Sequence, residues 1–400
     1  MHRHHALRHW VAAAFAAAWL LGCGGGDPHV PGSGSPAGAP TTKGTFAAVV
    51  SFGDSLSDAG TYAPATSLTG NGQPPFFGGR FTTNDNTTTS NLVWVEYLAA
   101  SLGIALTPAE VGFAGTSVKC PAAAVPALVN SCTAYGQGGA RVTDPNGIGK
   151  ASGALTVPVK TQIASHLARF ASFKASDLIL VYAGNNDVFT QFGAFAANAA
   201  QIQADAAAGR ITPDQANNLL LNAQLAAQGG MKQAALELAA YVRDEILAKG
   251  GQYVAVILLS DIADTPFGNS PQVVPARSVL SGLSENFNLW LREGLTNQPV
   301  QLIDAWAIFK DSYQNPSKFG IANNTIPACD AAKIQGVTGG AVSDGSSLFC
   351  SATVGAPYNG IRTGADIHTW QFADSVHPTT IGHQLIEQAF LAQLRAFGWI

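Results

Sequence analysis

The chain has 400 residues, of which 47 % are hydrophobic and only 12 % charged, and its formal net charge is −4. That length can bury a large core, and with no basic stripe or run of lysines nucleic-acid binding has no support. A surface this poor in charge relies on Gly, Asn, Thr, Ser and Gln for solubility, which fits a secreted protein better than a cytosolic enzyme.

The first element is a targeting segment. Arg3 and Arg8 form a positive start without acidic residues, and 10–21 is an apolar run too short to span a bilayer comfortably. It ends in Leu20-Leu21-Gly22-Cys23, which resembles a bacterial lipoprotein signal. The expectation is cleavage of residues 1–22 and a lipid on the Cys23 sulfur, anchoring the protein to a membrane. The alternative is an ordinary secretory signal cleaved nearby. Gly24 gives no inner-membrane retention cue, so an outer-membrane lipoprotein or a secreted protein is expected. Residues 23–44 are rich in Gly, Pro and Ser with no apolar period and read as a flexible tether.

From residue 45 onward a single domain, 45–400, is expected. Residues 45–52 read as a buried strand, short, apolar and Val-rich, broken by Gly53. Residues 177–183, 253–259 and 300–304 read as further strands. Helical patterns lie between them, notably 91–102 and 231–249. This alternation predicts an α/β fold with a central parallel sheet covered by helices on both faces, a three-layer αβα sandwich. Ligands of such sheets bind beyond the C-terminal strand ends, and Ser55, Asn186 and Asp261 all follow strand ends. Residues 194–230 read as a helical insertion. Thr212-Pro213-Asp214-Gln215 is a capping box with Pro at the first helical position, and Gly229-Gly230 is expected to separate this helix from the next. The insertion reads as a surface hairpin, or as a lid over the site.

With Cys23 spent on lipid, four cysteines remain, and sequence does not choose among their three pairings. The local pairs Cys120–Cys132 and Cys329–Cys350 are expected, because each would clip a long loop in an oxidising compartment. Metal binding is the rival, but no Cys-x-x-Cys or Cys/His spacing is present. No metal and no cofactor are expected.

The chemistry concentrates in three distant segments. Phe52-Gly53-Asp54-Ser55-Leu56-Ser57-Asp58 presents a serine where a strand turns into a helix start, with backbone N–H groups facing any anion that forms there. Asp374-Ser375-Val376-His377-Pro378 supplies a histidine to take the serine proton and a carboxylate to fix its tautomer. Pro378 biases His377 toward extended backbone. Gly184-Asn185-Asn186-Asp187 offers an amide donor for an oxyanion.

Together these segments resemble the blocks of the GDSL, or SGNH, serine hydrolase family. The resemblance covers about residues 45–400. It implies a flavodoxin-like sandwich with Ser55 as nucleophile, Asp374 and His377 completing the triad, and Asn186 donating to the oxyanion. Gly79-Arg80-Phe81, Trp94-Val95-Glu96-Tyr97-Leu98 and the segment from Ile257 through Ser260, Asp261 and Asp264 to Pro266 resemble the subgroup of plant and bacterial GDSL lipases. Tyr135-Gly136-Gln137-Gly138-Gly139-Ala140 is similar to the second block, although Ala134 stands where the family usually has Asn. The resemblance makes Gly139, with Ser55, a backbone oxyanion donor; Gly138 and the segment Phe113-Ala114-Gly115-Thr116 are rivals. It implies a carboxylesterase or lipase acting on an ester or lipid. Phospholipase or acyltransferase chemistry would share the first half-reaction.

Each residue also has a plainer reading. Ser55 and Asn186 can cap helices, with Asp187 the expected cap of the helix after 177–183. His377 alone can be a solvated loop histidine, and His166 and His383 sit in helix-like stretches with surface or satisfied roles. Phe76, Phe77 and Phe81 line an acyl pocket or simply pack. The α/β-hydrolase elbow is disfavoured, because Ser57 occupies its last Gly position. The reading from another class is a non-catalytic lipid-binding lipoprotein on the same scaffold; a metallohydrolase is weaker still.

Overall fold

The computed structural model describes residues 38–74, 76–84 and 91–400. The signal 1–22, the lipid acceptor Cys23 and the tether as far as residue 37 lie outside the described residues. The last tether residues dock on the domain: the Pro40 carbonyl accepts the Trp399 indole N–H at 2.7 Å, and Gly44 N–H donates to the Trp399 carbonyl.

The strands are β1 (Ala48–Gly53), β2 (Thr107–Pro108), β3 (Glu110–Phe113), β4 (Thr116–Lys119), β5 (Cys132–Ala134), β6 (Asp177–Tyr182), β7 (Tyr253–Ile257) and β8 (Gln301–Ile303). Six of them form one sheet in the order β2-β5-β1-β6-β7-β8, and every pairing in it is parallel. β3 and β4 form a separate antiparallel hairpin. The helices are α1 (Trp94–Ser101), α2 (Val159–Phe170), α3 (Asn185–Ala207), α4 (Pro213–Tyr241), α5 (Arg277–Gly294), α6 (Ala305–Gln314), α7 (Ala331–Val337) and α8 (Thr380–Ala396).

β6 is buried at every position, which is why, after Asp177, its sequence is an unbroken run of Leu, Ile, Val and Tyr rather than an alternation. Neighbouring residues still point to opposite faces. Tyr182 meets Trp94 of α1 and Phe390 of α8, while Phe52 of β1 meets His166 of α2 and Phe173 on the other side. Helices therefore cover both faces, α1, α6 and α8 on one and α2, α4 and α5 on the other, as the expected three-layer sandwich requires. β5 and β6 flank β1, so the loops after all three open at one end of the sheet.

Two expectations are corrected. Gly229-Gly230 does not separate two helices: α4 runs through both. Gly230 faces the flexible end of the Gln191 side chain of α3 and Gly229 has open space beside it, and the helix continues through both. The helical excursion also starts earlier than 194, because α3 begins at Asn185 directly after β6. The Thr212 capping box is formed, with Thr212 Oγ1 and Gln215 N 3.2 Å apart and the reciprocal bond at 2.8 Å.

The cysteines form two local disulfides, Cys120–Cys132 and Cys329–Cys350. The first ties the end of β4 to the start of β5. The second closes a loop that lies beside residues 373–377.

Candidate active site

The site starts from the end of β1. A Cβ on Gly53 would fall 2.3 Å from the Tyr182 carbonyl of β6, so this position tolerates only glycine. Gln162 of α2 clamps the same residue, accepting its N–H at 2.9 Å and donating to its carbonyl at 2.8 Å. Asp54 then caps a short 3-10 turn, Ser55–Ser57, by accepting Leu56 N–H at 3.1 Å, and its other oxygen accepts Asn185 Nδ2 at 3.0 Å. Ser55 is thus the first residue of the turn, 8 % exposed, and its own N–H has no partner among the described residues.

Asp374 and His377 share a tight loop closed by a bridge between Phe372 and Pro378 and by Ala373 N–H on the His377 carbonyl, 2.7 Å. His377 Nδ1 lies 2.8 and 2.9 Å from the two Asp374 oxygens. A carboxylate can only accept, so Nδ1 carries the proton and Nε2 is left with its lone pair. Nε2 is 2.8 Å from Ser55 Oγ. Three backbone N–H groups also converge on Asp374, from Val376 at 3.0 Å, His377 at 2.8 Å and Ser347 at 2.8 Å.

Electrostatics follow from this geometry. Burial alone would raise the Asp374 pKa, but the His377 imidazole and these N–H donors outweigh it and hold the carboxyl well below its usual range. His377 is the mirror case: burial pulls it down, and the Asp374 charge and hydrogen bond, with a smaller contribution from Asp54, carry it above 6.5. Asp54 itself is raised to about 6 by burial, the Asn185 amide only partly offsetting this.

The segment after β5 runs along the end of β1, with Tyr135 N–H on the Ser51 carbonyl and Gln137 N–H on that of Gly53. Asp58 accepts Gly138 N–H at 2.8 Å as well as Gly60 and Thr61 N–H. Gly138 is therefore already spent. Gly139 N–H has no partner among the described residues. Its φ of +76° and an Ile148 carbonyl 1.9 Å from where a Cβ would sit require glycine there. Across the site, Asn186 Nδ2 donates to the Ala140 carbonyl at 2.9 Å. That bond uses one of its two hydrogens, fixes the amide orientation and leaves the second free. The rival segment Phe113-Ala114-Gly115-Thr116 is the exposed turn of the β3–β4 hairpin.

Asp187 does not cap α3, as the plainer reading had it. The cap position is Gly184, and Asp187 instead accepts Val142 N–H and Arg141 Nε, each at 3.0 Å, pulling the loop after Gly139 onto the helix start. His383 is fully buried, with Nδ1 accepting Trp94 N–H and Nε2 facing the Phe81 carbonyl, and burial drops its pKa to about 3. His166 stacks on Phe173 and is lowered to about 4, again by burial. Both are neutral core histidines. Phe81 packs on the His377 ring, centroids 4.8 Å apart, and fills the space beside Gly138. Arg80 and Glu96 make a buried two-bond pair, 2.7 Å in each bond, so these two sequence blocks serve one contact that docks the Phe81 loop on α1.

Three contributors escape the sequence. Ser347 reaches Asp374 through its backbone, which carries no side-chain signature. Asn185 and Asp58 support neighbours of the candidate residues without touching them. Phe81 was singled out, but nothing in a Gly-Arg-Phe string says that its ring meets an imidazole almost 300 positions away.

Among the described residues, no group of three or more His, Cys, Asp or Glu is placed to hold a metal ion, and no helix is long and apolar enough to cross a membrane. A family model described as GDSL-like Lipase/Acylhydrolase matches residues 49–390. No curated protein matches the chain.

Proposed function

This chain belongs to the GDSL-like lipase/acylhydrolase family, and we propose that it is a serine ester hydrolase of the bacterial cell envelope working through an acyl-enzyme on Ser55. The observation that carries the reading is the continuous line from Ser55 Oγ to His377 Nε2 and, across the ring, from His377 Nδ1 to Asp374, with both hydrogen bonds at 2.8 Å. As Ser55 Oγ attacks the acyl carbonyl, its proton passes to Nε2, and Asp374 stabilises the imidazolium. His377 then gives that proton to the leaving alkoxide. Water, deprotonated by the same nitrogen, attacks the acyl-enzyme and releases the acid.

The oxyanion that forms in each half-reaction is assigned to Ser55 N–H, Gly139 N–H and the free hydrogen of Asn186 Nδ2. Two of these are the unpartnered amides beside β1, and the third is aimed by the Ala140 carbonyl. Asn186→Ala is expected to lower kcat on the order of a hundredfold or more with little change in KM, because this donor counts most in the transition state. Steady-state kinetics would show it, and a change confined to KM would remove Asn186 from the oxyanion role.

The envelope location rests on the signal-like 1–22 with Cys23 and on the two disulfides, which fit an oxidising compartment. The division into signal, tether and hydrolase domain belongs to the same proposal. Carboxylic esters, including lipid esters, are the proposed substrates, on the subgroup resemblance of the Arg80 and Glu96 blocks. The test is hydrolysis of p-nitrophenyl esters from acetate to palmitate, together with labelling by a serine-directed fluorophosphonate. Turnover with labelling supports the reading, and the chain-length optimum separates esterase from lipase. Neither turnover nor labelling would move the assignment to a lipid-binding lipoprotein.

A further inference from the structure

The Asp374 carboxylate is held from two directions. Its own loop supplies Val376 N–H, His377 N–H and the imidazole, while the Ser347 N–H comes from a separate segment, 2.8 Å from Oδ2. That segment is short: Ser347–Phe349 is a single 3-10 turn ending at Cys350, held on its far side by Asn84, which donates to the Ser347 and Cys350 carbonyls. Cys350 is bonded to Cys329, and Cys329 N–H donates to the Ala373 carbonyl, one residue before Asp374, at 2.8 Å. Both sulfurs are buried, in a small cluster with Ile334 and Ala373. The disulfide thus joins the piece of chain that supports the backbone before Asp374 to the piece that delivers its outermost donor.

We propose that the Cys329–Cys350 bond positions Asp374 for catalysis, acting through the Ser347 N–H. The inference rests on the triad reading above. With the bond intact, the 3-10 turn is fixed against residues 372–374 and the carboxylate keeps a donor on Oδ2. With it broken, the turn keeps its Asn84 contacts but is no longer tied to the backbone before Asp374, and the Ser347 N–H is less firmly aimed at Oδ2. Asp374 then holds the imidazole less firmly. The same loop carries Asp344, whose charge also bears on His377. The other groups facing that ring are Asp54 after β1 and the neutral His383 of α8, and neither belongs to the loop.

Two forms of the protein test this. The parent reduced while folded, in a Cys120→Ser, Cys132→Ser background, opens the Cys329–Cys350 bond without changing either residue. Cys329→Ser with Cys350→Ser removes the bond. Each is expected to lower kcat about tenfold, the value of one charge-assisted hydrogen bond, with KM near that of the parent. The acidic limb of the kcat/KM–pH profile should also move to lower pH, because the loop that is released carries Asp344, whose charge supports the His377 proton. A merely structural disulfide would lower the melting temperature and leave kcat and the limb where they were, and that result overturns the inference. If the Cys329→Ser, Cys350→Ser variant does not fold, the reduced protein alone decides. A fully active Ser55→Ala would instead remove the triad reading itself, so the two failures are distinguishable.

Discussion

Ser55→Ala is expected to abolish ester turnover, lowering kcat on the order of 10⁴–10⁶-fold while leaving the fold intact. The side chain lost is small, and its one hydrogen bond, to His377, contributes about 1 kcal/mol. Stability should therefore barely move while activity collapses. The sharper form of the prediction is non-additivity. Ser55 and His377 act as one unit, because the histidine has no proton to take without the hydroxyl and the hydroxyl is a weak nucleophile without the base. His377→Ala should cost about as much as Ser55→Ala, and the double variant should be no worse than either by more than a few-fold. Hydrolysis of p-nitrophenyl butyrate with a melting curve for each protein measures all of this. If Ser55→Ala retained activity within tenfold of the parent, the nucleophile would have to be sought elsewhere. If the two losses multiplied, the residues would be acting independently, and the 2.8 Å contact between them would have no mechanistic meaning.

How much of this was legible before any coordinates depended on the range of the interaction. Strands β1, β6 and β7 are largely apolar runs of five or six residues, buried almost throughout, and such runs announce themselves. β8 is as short as β5 and is legible only within the longer stretch 300–304; β5, with three residues, and β2, with two, carry no period of their own. Ser55, Asn186, Asp374 and His377 were readable because their side chains do the work and sit in distinctive strings. The groups that aim them were not, because they act through backbone N–H groups, as Ser347 does, or through contacts between remote segments, as Asn185 does on Asp54. The Gly229-Gly230 misreading has the same root. Helix propensity counts each glycine as a local cost of about 1 kcal/mol, which the packing of α4 against α3 and α5 overrides.

Asp374→Asn is expected to be nearly as damaging as loss of the nucleophile, with kcat down on the order of 10⁴-fold, for a reason specific to tautomers. The carboxylate accepts four N–H groups, three from backbone and one from His377 Nδ1. An asparagine amide has one acceptor oxygen and one donor NH₂. If the oxygen faces the Val376 and His377 amides, the NH₂ meets Ser347 N–H or the imidazole, and the favourable answer is for Nδ1 to become an acceptor. The proton then moves to Nε2, where it blocks removal of the Ser55 proton. The pH profile should change in a direction that can be worked out. In the parent, His377 must be neutral to act as base, and its pKa stands above 6.5, so activity is lost as pH falls through that raised value. Removing the Asp374 charge takes away the largest influence opposing burial; Asp54 and Asp344 remain but contribute less. The limb of whatever activity survives must therefore lie at lower pH than in the parent. A rate-versus-pH series on both proteins reads this directly. A limb that stays in place, or moves up, would mean that Asp374 does not set the charge state of His377. Its role would then reduce to holding the loop through the Val376 and His377 amides, which the asparagine oxygen could still do.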